Sequence, residues 1–323
     1  MTNEDQFCPS DTVFVNWQRK CKAKGENMHM VDHQIKNHQN KRNIVLVTAA
    51  TAPVGRSIVE QLVAVEHPVR ALTRDPKKAG LPAGAEVVAG DLGDAESLAA
   101  AFRGVSAVFL LAAVPGFTPT FLKAAKEAGV HRIVFQSSGA VIDDADEQPN
   151  PIAAFHADIE RQIRDSGLEW TFLRLEVSSA DALQWAFDVP AQLKAGDVVR
   201  GPYAEAGGSP IHPADFAAVA IAALTQDEHA GKVYHVTGPQ SLTHREQVEL
   251  IGEALRRPLR YEEMDEEQAR AAISPYAPVE VLFETWKKYI GTPAPVTDTV
   301  QRLTGRQPRS VEAWAEDLAS HLQ

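Results

Sequence analysis

The sequence predicts an α/β fold, in which a doubly wound parallel sheet is followed by a small, mostly helical C-terminal lobe. Between residue 43 and Glu176, short β-rich runs alternate with longer amphipathic segments. The short runs are almost continuously apolar, as strands are when helices cover both faces of a parallel sheet. A chain of 323 residues is long enough to bury one large core and to carry an additional lobe.

The predicted elements alternate along the chain. Val54, Ile58, Leu62 and Val65 share one stripe of the first helix, as the helical period requires. Strands are predicted at 43–49, 68–74, 85–91, 105–113, 132–138, 169–176 and 232–238, and helices at 54–66, 95–104, 118–130, 152–167, 178–187 and 212–224. Residues 195–210 are predicted to form a loop or a hairpin, and the remaining C-terminal residues to be mostly helical with proline-rich joints.

The chain is therefore divided into three regions. Residues 43–176 and 211–238 are predicted to form the sheet domain, and residues 177–210 and 239–323 the lobe beside it. Residues 1–42 carry seven Lys or Arg against five Asp or Glu and lack periodicity, which indicates a flexible extension, or upstream sequence before an internal start at Met28 or Met30. The histidines of this region (His29, His33 and His38) lack the companion ligands of a metal site, and none is expected.

Composition narrows the functional classes. A net charge of −11 argues against a nucleic-acid-binding protein, because affinity for phosphate backbones needs clustered Lys and Arg. No segment approaches the roughly 20 apolar residues of a membrane span, and the N-terminus has no apolar secretory core. Cys8 and Cys21 are the only cysteines, so thiol catalysis is excluded from residues 43–323. We expect a cytoplasmic protein, monomeric or homodimeric, that acts on a small molecule.

The turn after the first strand, in the stretch VTAATAPVGRS (47–57), is typical of a phosphate-binding turn. Ala49, Ala52 and Gly55 occupy the three positions where glycines are usual. Gly55 keeps the position that packs the helix on the strand, and Pro53 suits the first helical position. The helix N-terminus offers unpaired N–H groups to an anion. We predict a dinucleotide contacting Thr48, Ala49, Ala52, Pro53, Val54 and Gly55. Restoring the two glycines is expected to lower stability slightly, through unfolded-chain entropy. The alternative is a turn that has lost its ligand.

Two further strand ends carry candidate cofactor contacts. The second strand ends at Arg74, and an arginine there suits the 2′-phosphate of NADP; Arg56 is expected nearby. An ordinary solvated arginine is the alternative. After the third strand, Asp91 and Leu92 are placed to contact the adenine, although Asp91 is equally able to cap the helix that begins near Asp94.

Together, the runs LVTAATAPVGRSIVEQL, VRALTRDP, VVAGDLGD, VFQSSGAV, IERQIRDSGLEWTFLR and LTGRQPRSVEAWAEDL resemble the NmrA-like atypical short-chain dehydrogenase/reductases. The resemblance spans about residues 43–323. It implies a Rossmann domain that binds NAD(P), a C-terminal substrate-binding lobe, and NADPH more often than NADH. Relatives include quinone and azo-dye reductases and biosynthetic tailoring reductases, and the family's namesake senses nucleotides without reducing any substrate.

The sequence departs from the wider superfamily at its catalytic helix. Alignment on IERQIRDSGL places Ile152 where the superfamily has a catalytic tyrosine and His156 where it has a lysine. Isoleucine cannot transfer a proton, so His156 is the candidate proton donor on the helical face that it shares with Ile152 and Glu160. The alternative is a histidine held by packing or by a backbone contact.

Other candidates follow the fifth and sixth strands. Ser137 is predicted to contact the nicotinamide and Ser138 to assist catalysis, with turn chemistry as the alternative. Glu176 lies where ligands bind in such folds and is a candidate catalytic partner of His156. Its alternatives are a helix N-terminal acid or an ion pair with Arg174. Gln184 and Trp185 are candidate walls of the substrate pocket, although a tryptophan is equally explained by the core.

Three functions are compatible with these residues. The first is NADPH-dependent reduction of a quinone, enone or imine-like molecule, because such acceptors take hydride without a dedicated tyrosine acid. The second is a non-redox biosynthetic step, such as cyclisation or dehydration, on the same fold. The third is a nucleotide-sensing regulator that binds a partner protein.

Overall fold

The computed structural model describes residues 43–112, 114–176, 189–273 and 279–322, without the side chains of residues 190 and 318–322. The chain divides into units of residues 1–43 and 44–323, and the description concerns the second. The predicted helix at 178–187 lies outside the described residues, together with Gln184, Trp185 and residues 1–42.

A seven-stranded sheet forms the centre of the described unit. Its order is β3-β2-β1-β4-β5-β6-β9, and every neighbouring pair is parallel. The strands are β1 (Ile44–Val47), β2 (Val69–Thr73), β3 (Glu86–Ala89), β4 (Val105–Leu110), β5 (Arg132–Ser138), β6 (Glu169–Leu175) and β9 (Lys232–Val236). The predicted doubly wound Rossmann sheet is confirmed. Its order reverses between β1 and β4, where such folds bind ligands.

Helices cover both faces of this sheet. Helices α1 (Pro53–Ala64) and α6 (Pro213–Thr225) pack on one face. Helices α2 (Ala95–Ala101), α3 (Thr118–Ala128) and α4 (Pro151–Asp165) pack on the other. Proline opens α1, α4 and α6, where its missing N–H has no intrahelical partner. Gly129 ends α3 at φ 82°, as predicted.

The C-terminal region adds two small sheets. Strand β7 (Val198–Gly201) pairs in parallel with β11 (Arg260–Glu263), and β8 (Gly207–Gly208) pairs antiparallel with β10 (Leu242–Thr243). A hairpin within 195–210 is therefore wrong, because its two strands pair with later segments instead. The other elements are α5 (Val189–Ala195), α7 (His244–Leu255), α8 (Glu266–Ala272), α9 (Val279–Lys288), α10 (Thr299–Thr304) and α11 (Val311–Leu322).

Helix α10 packs against the sheet domain, although its residues were predicted to belong to the lobe. Its Val300 and Leu303 pack into the core beneath α1 and α6, although residues 239–323 were assigned to the lobe. Residues of α5, α7 and α11 form a separate core, and Phe283 and Trp286 of α9 pack with Ile273 in a second one. The exact boundary between the sheet domain and the lobe stays a prediction.

A buried ion-pair network fixes β6 to α4. Arg174 is 1% exposed and Glu160 is fully buried. Arg174 Nη2 lies 2.8 Å from Glu160 Oε2, and its Nη1 lies 3.0 Å from Asp143 Oδ2 in the connection between β5 and α4. Burial alone lowers the pKa of Arg174, but the hydrogen bonds that it donates to both carboxylates outweigh burial and raise that pKa. The same hydrogen bonds act in the opposite direction on the acceptor: they lower the pKa of Asp143.

The network generates a stability prediction. Glu160→Gln leaves the buried guanidinium with only one carboxylate, and loss of a buried charge partner typically costs about 3–5 kcal/mol. The double variant Glu160→Met, Arg174→Met removes both charges and is expected to recover much of that loss. Chemical denaturation monitored by circular dichroism measures both. A double variant less stable than Glu160→Gln contradicts this account of the network.

Candidate active site

The turn after β1 lies at the point where the strand order reverses. Thr48 is buried and bridges the ends of β1 and β4: its Oγ1 accepts a hydrogen bond from Leu111 N at 2.9 Å and donates to Leu111 O at 3.3 Å. Its own amide donates to Phe109 O at 3.0 Å. The side chain of Thr48 is thus committed to holding the turn, and its predicted cofactor contact stays a proposal for the backbone alone.

Gly55 lets α1 approach this turn. A Cβ at position 55 would lie 2.3 Å from the carbonyl oxygen of Ala49, far inside van der Waals contact. Gly55 therefore holds the helix against the end of the strand, which confirms the packing role predicted for it.

Ala49 adopts a left-handed backbone conformation, with φ of 47°. Its carbonyl accepts a hydrogen bond from Ala52 N at 2.9 Å, which closes the turn. A residue with a Cβ pays about 1–2 kcal/mol in this region and glycine does not. The expectation that glycine lowers stability at both positions is therefore wrong for Ala49, because glycine relieves strain there. Ala52, at φ −74°, gains no such relief.

The N-terminus of α1 presents its backbone to the turn. Ala52 is the N-cap, and no side chain caps the helix. Pro53 has no N–H, so the next amides, of Val54 and Gly55, carry the positive end of the helix dipole. Ala49, Ala52 and Pro53 retain surface exposure, while Val54 and Gly55 are buried. Small side chains above uncapped amides fit a phosphate group.

Basic residues gather at the tip of β2. Arg74 is exposed, and within the described residues its guanidinium makes no ion pair. Lys77 and Lys78 follow on a 3₁₀ turn at Pro76–Lys78. Arg56 does reach this loop, as expected, but its guanidinium donates to the carbonyls of Ala79 and Gly80 at 2.8 and 2.7 Å. Arg56 fastens the loop to α1, and Arg74 is an exposed cation beside Lys77 and Lys78.

The connection after β3 shows which aspartate caps α2. Asp94 caps α2 by accepting from the amides of Glu96 and Ser97. Asp91 instead accepts from Gly93 N at 2.9 Å, so its reading as the helix cap is wrong. Asp91 remains exposed, and Leu92 is half-buried against the core, which leaves both as proposed adenine contacts.

The two serines that end β5 have different surroundings. Ser137 is 3% exposed and donates to Glu160 Oε1 at 2.6 Å. Its hydroxyl thus belongs to the buried ion-pair network, and we correct its assignment to the nicotinamide. Ser138 is half-buried at the strand end and accepts from Ala140 N at 3.2 Å. Ser138 remains a candidate at the carboxyl edge of the sheet.

His156 lies on the face of α4 that packs on the sheet, as its helical position predicts. Its ring stacks on Phe135 with 5.9 Å between centroids, and its Nδ1 donates to Ile152 O at 2.8 Å. Burial lowers the pKa of His156, which favours the neutral ring. A neutral imidazole that donates through Nδ1 has only a lone pair at Nε2. The structure thus gives His156 the packing and backbone contact of the alternative, and both argue against a role as the proton donor.

Glu176 pairs with a residue that the sequence patterns did not single out. Its Oε1 contacts Nδ1 of His235 near the end of β9, whereas Arg174 is bound to Glu160 and Asp143. The predicted partnership of Glu176 with His156 and the alternative pair with Arg174 are both wrong. The run KVYHVTG predicted the strand that carries His235, but the pairing of β9 with β6 is needed to place it beside Glu176.

Gly139 makes room for this pair. A Cβ at position 139 would lie 2.7 Å from the Glu176 carboxylate. Gly139 N donates to Leu175 O at 2.8 Å, and Glu176 N donates to Val236 O at 3.3 Å. The ends of β5, β6 and β9 are thereby held side by side at the edge where parallel sheets bind ligands.

Comparisons with known proteins identify the class of protein that this site belongs to. Residues 49–227 match the model of the NAD(P)H-binding family. The (4-alkanoyl-5-oxo-2,5-dihydrofuran-3-yl)methyl phosphate reductase of Streptomyces griseus is 39% identical, over 85% of this chain and 98% of that protein. The NAD(P)H azoreductase of Xenophilus azovorans is 32% identical, over 86% of this chain and 98% of that protein.

A solved structure shares the fold. The NADPH-dependent quinone oxidoreductase of Escherichia coli, in complex with NADPH, superposes with a TM-score of 0.64 at 23% identity, over 86% of this chain and 100% of that one. The chain belongs to the NAD(P)H-binding family, as an NmrA-like atypical short-chain dehydrogenase/reductase. The resemblance stated from its motifs is confirmed, and NAD(P)H is the cofactor of its class.

The backbone at Ala49 generates a second stability prediction. Ala49→Gly is expected to be neutral or to stabilise the protein, because strain relief of about 1–2 kcal/mol offsets the entropy cost of glycine. Ala99→Gly is the matched control: Ala99 is exposed on α2, and glycine in a helix costs about 1 kcal/mol. Thermal unfolding compares the two variants. Equal losses of stability argue against a strained backbone at Ala49.

Proposed function

We propose that this protein is an NADPH-dependent reductase that transfers hydride to a small conjugated acceptor, such as an enone, a butenolide or a quinone. The observation that carries the proposal is the turn at the strand-order switch point, where Gly55 holds the uncapped N-terminus of α1 against the end of β1. Small side chains beside uncapped helix amides fit a pyrophosphate, and the family assignment supports the same cofactor.

Each part of the cofactor is assigned to specific residues of the site. The backbone at Ala49, Ala52 and Pro53 cradles the pyrophosphate, and Arg74 binds the 2′-phosphate. Asp91 and Leu92 contact the adenine. NADPH supplies the hydride when bound, and the acceptor lies over the carboxyl ends of β5 and β6, near Ser138 and Glu176.

The class of acceptor follows from the residue at position 152. Isoleucine replaces the superfamily's tyrosine, so the Tyr–Lys acid that assists reduction of simple carbonyls is missing from α4. Conjugated acceptors delocalise the charge that hydride brings and depend less on such an acid. The name of the Streptomyces griseus relative describes a ring alkene conjugated to carbonyl groups, which supports this class and a place in secondary metabolism.

Location, binding partners and oligomeric state are proposed from the composition of the chain. Within the described ranges, no helix combines the length and apolar character needed to cross a bilayer. With the net charge of −11, we propose a cytoplasmic protein that binds a small-molecule substrate and no nucleic acid, and that is a monomer or homodimer.

Arg74 tests the choice of cofactor. Arg74→Ala is expected to weaken NADPH binding about 10- to 100-fold and NADH binding much less, because a hydrogen bond to a charged group contributes about 1.5–3 kcal/mol. Calorimetric titration with each nucleotide measures both effects. Arg103→Ala is the control, since Arg103 is exposed before β4, at the amino-terminal edge of the sheet. Equal losses for NADPH and NADH remove Arg74 from the 2′-phosphate site.

Turnover separates the three functions. We expect the purified protein to oxidise NADPH when a butenolide, enone or quinone is added, and not with an isolated ketone. NADPH absorbance and product mass spectrometry follow the reaction. Binding of NADPH without its consumption across this panel favours a sensor. Conversion of a substrate without NADPH favours a non-redox enzyme.

A further inference from the structure

We propose that His235, positioned by Glu176, is the proton donor of the reductase. The inference rests on the proposed function, because hydride transfer to a neutral acceptor leaves a negative charge that a proton must neutralise. The sequence offers no tyrosine at position 152, and the structure commits His156 to packing and to a backbone contact. The acid of this enzyme therefore lies on another element.

His235 has the exposure and orientation that the role requires. Its side chain is 44% exposed, whereas that of Glu176 is 10% exposed. The Nδ1 atom faces the Glu176 carboxylate, which fixes the orientation of the ring. The Nε2 atom is left to contact a substrate, and within the described residues no hydrogen bond engages it. Histidine titrates close enough to neutrality to serve as a general acid.

The surrounding structure holds the backbone of His235 in place. Thr299 on α10 and Thr297 before it donate their hydroxyls to the His235 carbonyl at 2.6 and 2.9 Å. In the sheet, His235 is in register with Arg174 on β6, whose charge is balanced by Glu160 and Asp143. The positive charge of His235 also contributes to the lowered pKa of Asp143, after the larger effect of Arg174. The carboxylates that interact with His235 are thus those of Glu176 and Asp143.

The proposed step balances for a conjugated alkene. When bound, NADPH would supply hydride to the carbon β to the carbonyl, losing a nicotinamide C4–H bond to become NADP⁺, and the electron pair of the C=C bond would move toward the carbonyl to give an enolate. The Nε2–H bond of His235 breaks, and the proton adds to the α-carbon or oxygen of that enolate. The neutral imidazole then takes a proton from water. Glu176 keeps its charge throughout and acts as a positioning residue.

Two kinds of acceptor isolate the proton step. An enone or butenolide needs hydride and a proton, whereas a cationic triphenylmethane dye needs hydride alone. His235→Gln is expected to lower the ratio of kcat for the neutral acceptor to kcat for the cation by about 100-fold, the usual contribution of a general acid. Glu176→Gln is expected to lower the ratio less, because it affects only the orientation and charge of the donor.

His131→Gln is the matched control, because His131 is an exposed histidine that precedes β5, at the amino-terminal ends of the strands. This variant should keep the wild-type ratio of the two kcat values. A purely structural role of His235 would lower kcat for both acceptors equally, and an unchanged ratio in His235→Gln overturns the proposal. Failure of the wild-type protein to oxidise NADPH with either acceptor instead overturns the proposed function.

A measurement without cofactor tests the contact between Glu176 and His235. In the full-length protein labelled with ¹⁵N-histidine, NMR should show a deshielded Nδ1–H proton of His235, assigned by its absence in His235→Gln. Glu176→Gln should lose this signal, as should Gly139→Ala, whose Cβ would displace the Glu176 carboxylate. Persistence of the signal in Glu176→Gln shows that Glu176 does not position His235 and overturns that part of the proposal.

Discussion

The buried pair of Arg174 and Glu160 is the interaction on which the carboxyl edge of the sheet depends. A guanidinium 1% exposed is tolerated only where carboxylates replace its water. Glu160 supplies one from α4 and Asp143 supplies another from the connection after β5. The pair thereby joins the strand that leads to Glu176 with the helix that carries catalytic residues elsewhere in the superfamily. In this chain α4 contributes a buried structural charge, whereas the contact between Glu176 and His235 lies at the ends of β6 and β9.

The conformation of the turn after β1 is determined by a different constraint. Gly55 must lack a side chain so that α1 can pack on the turn, and Ala49 takes a left-handed conformation in which its carbonyl meets both Gly55 and Ala52. The turn thus keeps its close packing with alanine at two of the three usual glycine positions. The left-handed backbone of Ala49 is strained by its Cβ, and a methyl group removes no N–H donor from the N-terminus of α1.

Much of this molecule follows from local sequence, and the remainder depends on pairing between distant segments. The seven strands of the large sheet, the proline at the start of α1 and the glycine that ends α3 each have a local signal, and each was predicted. The pairing of β7 with β11 was missed, because the run RYEE of β11 has little apolar character. The sequence singled out His156, Ser137 and Glu176, and no observation tests a functional role for them. The partners of Ser137 and Glu176 were not predicted, because Glu160 and His235 reach them only through the tertiary packing of α4, β6 and β9. The Ile152 carbonyl lies one turn before His156 on the same helix, and a backbone contact was among the alternatives stated for that histidine.

The central claim is that this chain binds NADPH over the β1 turn and passes its hydride to a conjugated acceptor. Isotope transfer tests it most directly: the protein is incubated with NADPH deuterated at one face of nicotinamide C4 and with a butenolide or enone acceptor. The account predicts that deuterium from one of the two faces appears in the product, on the carbon β to the carbonyl. Product formed without deuterium from either labelled cofactor, or no product in the presence of bound NADPH, contradicts it.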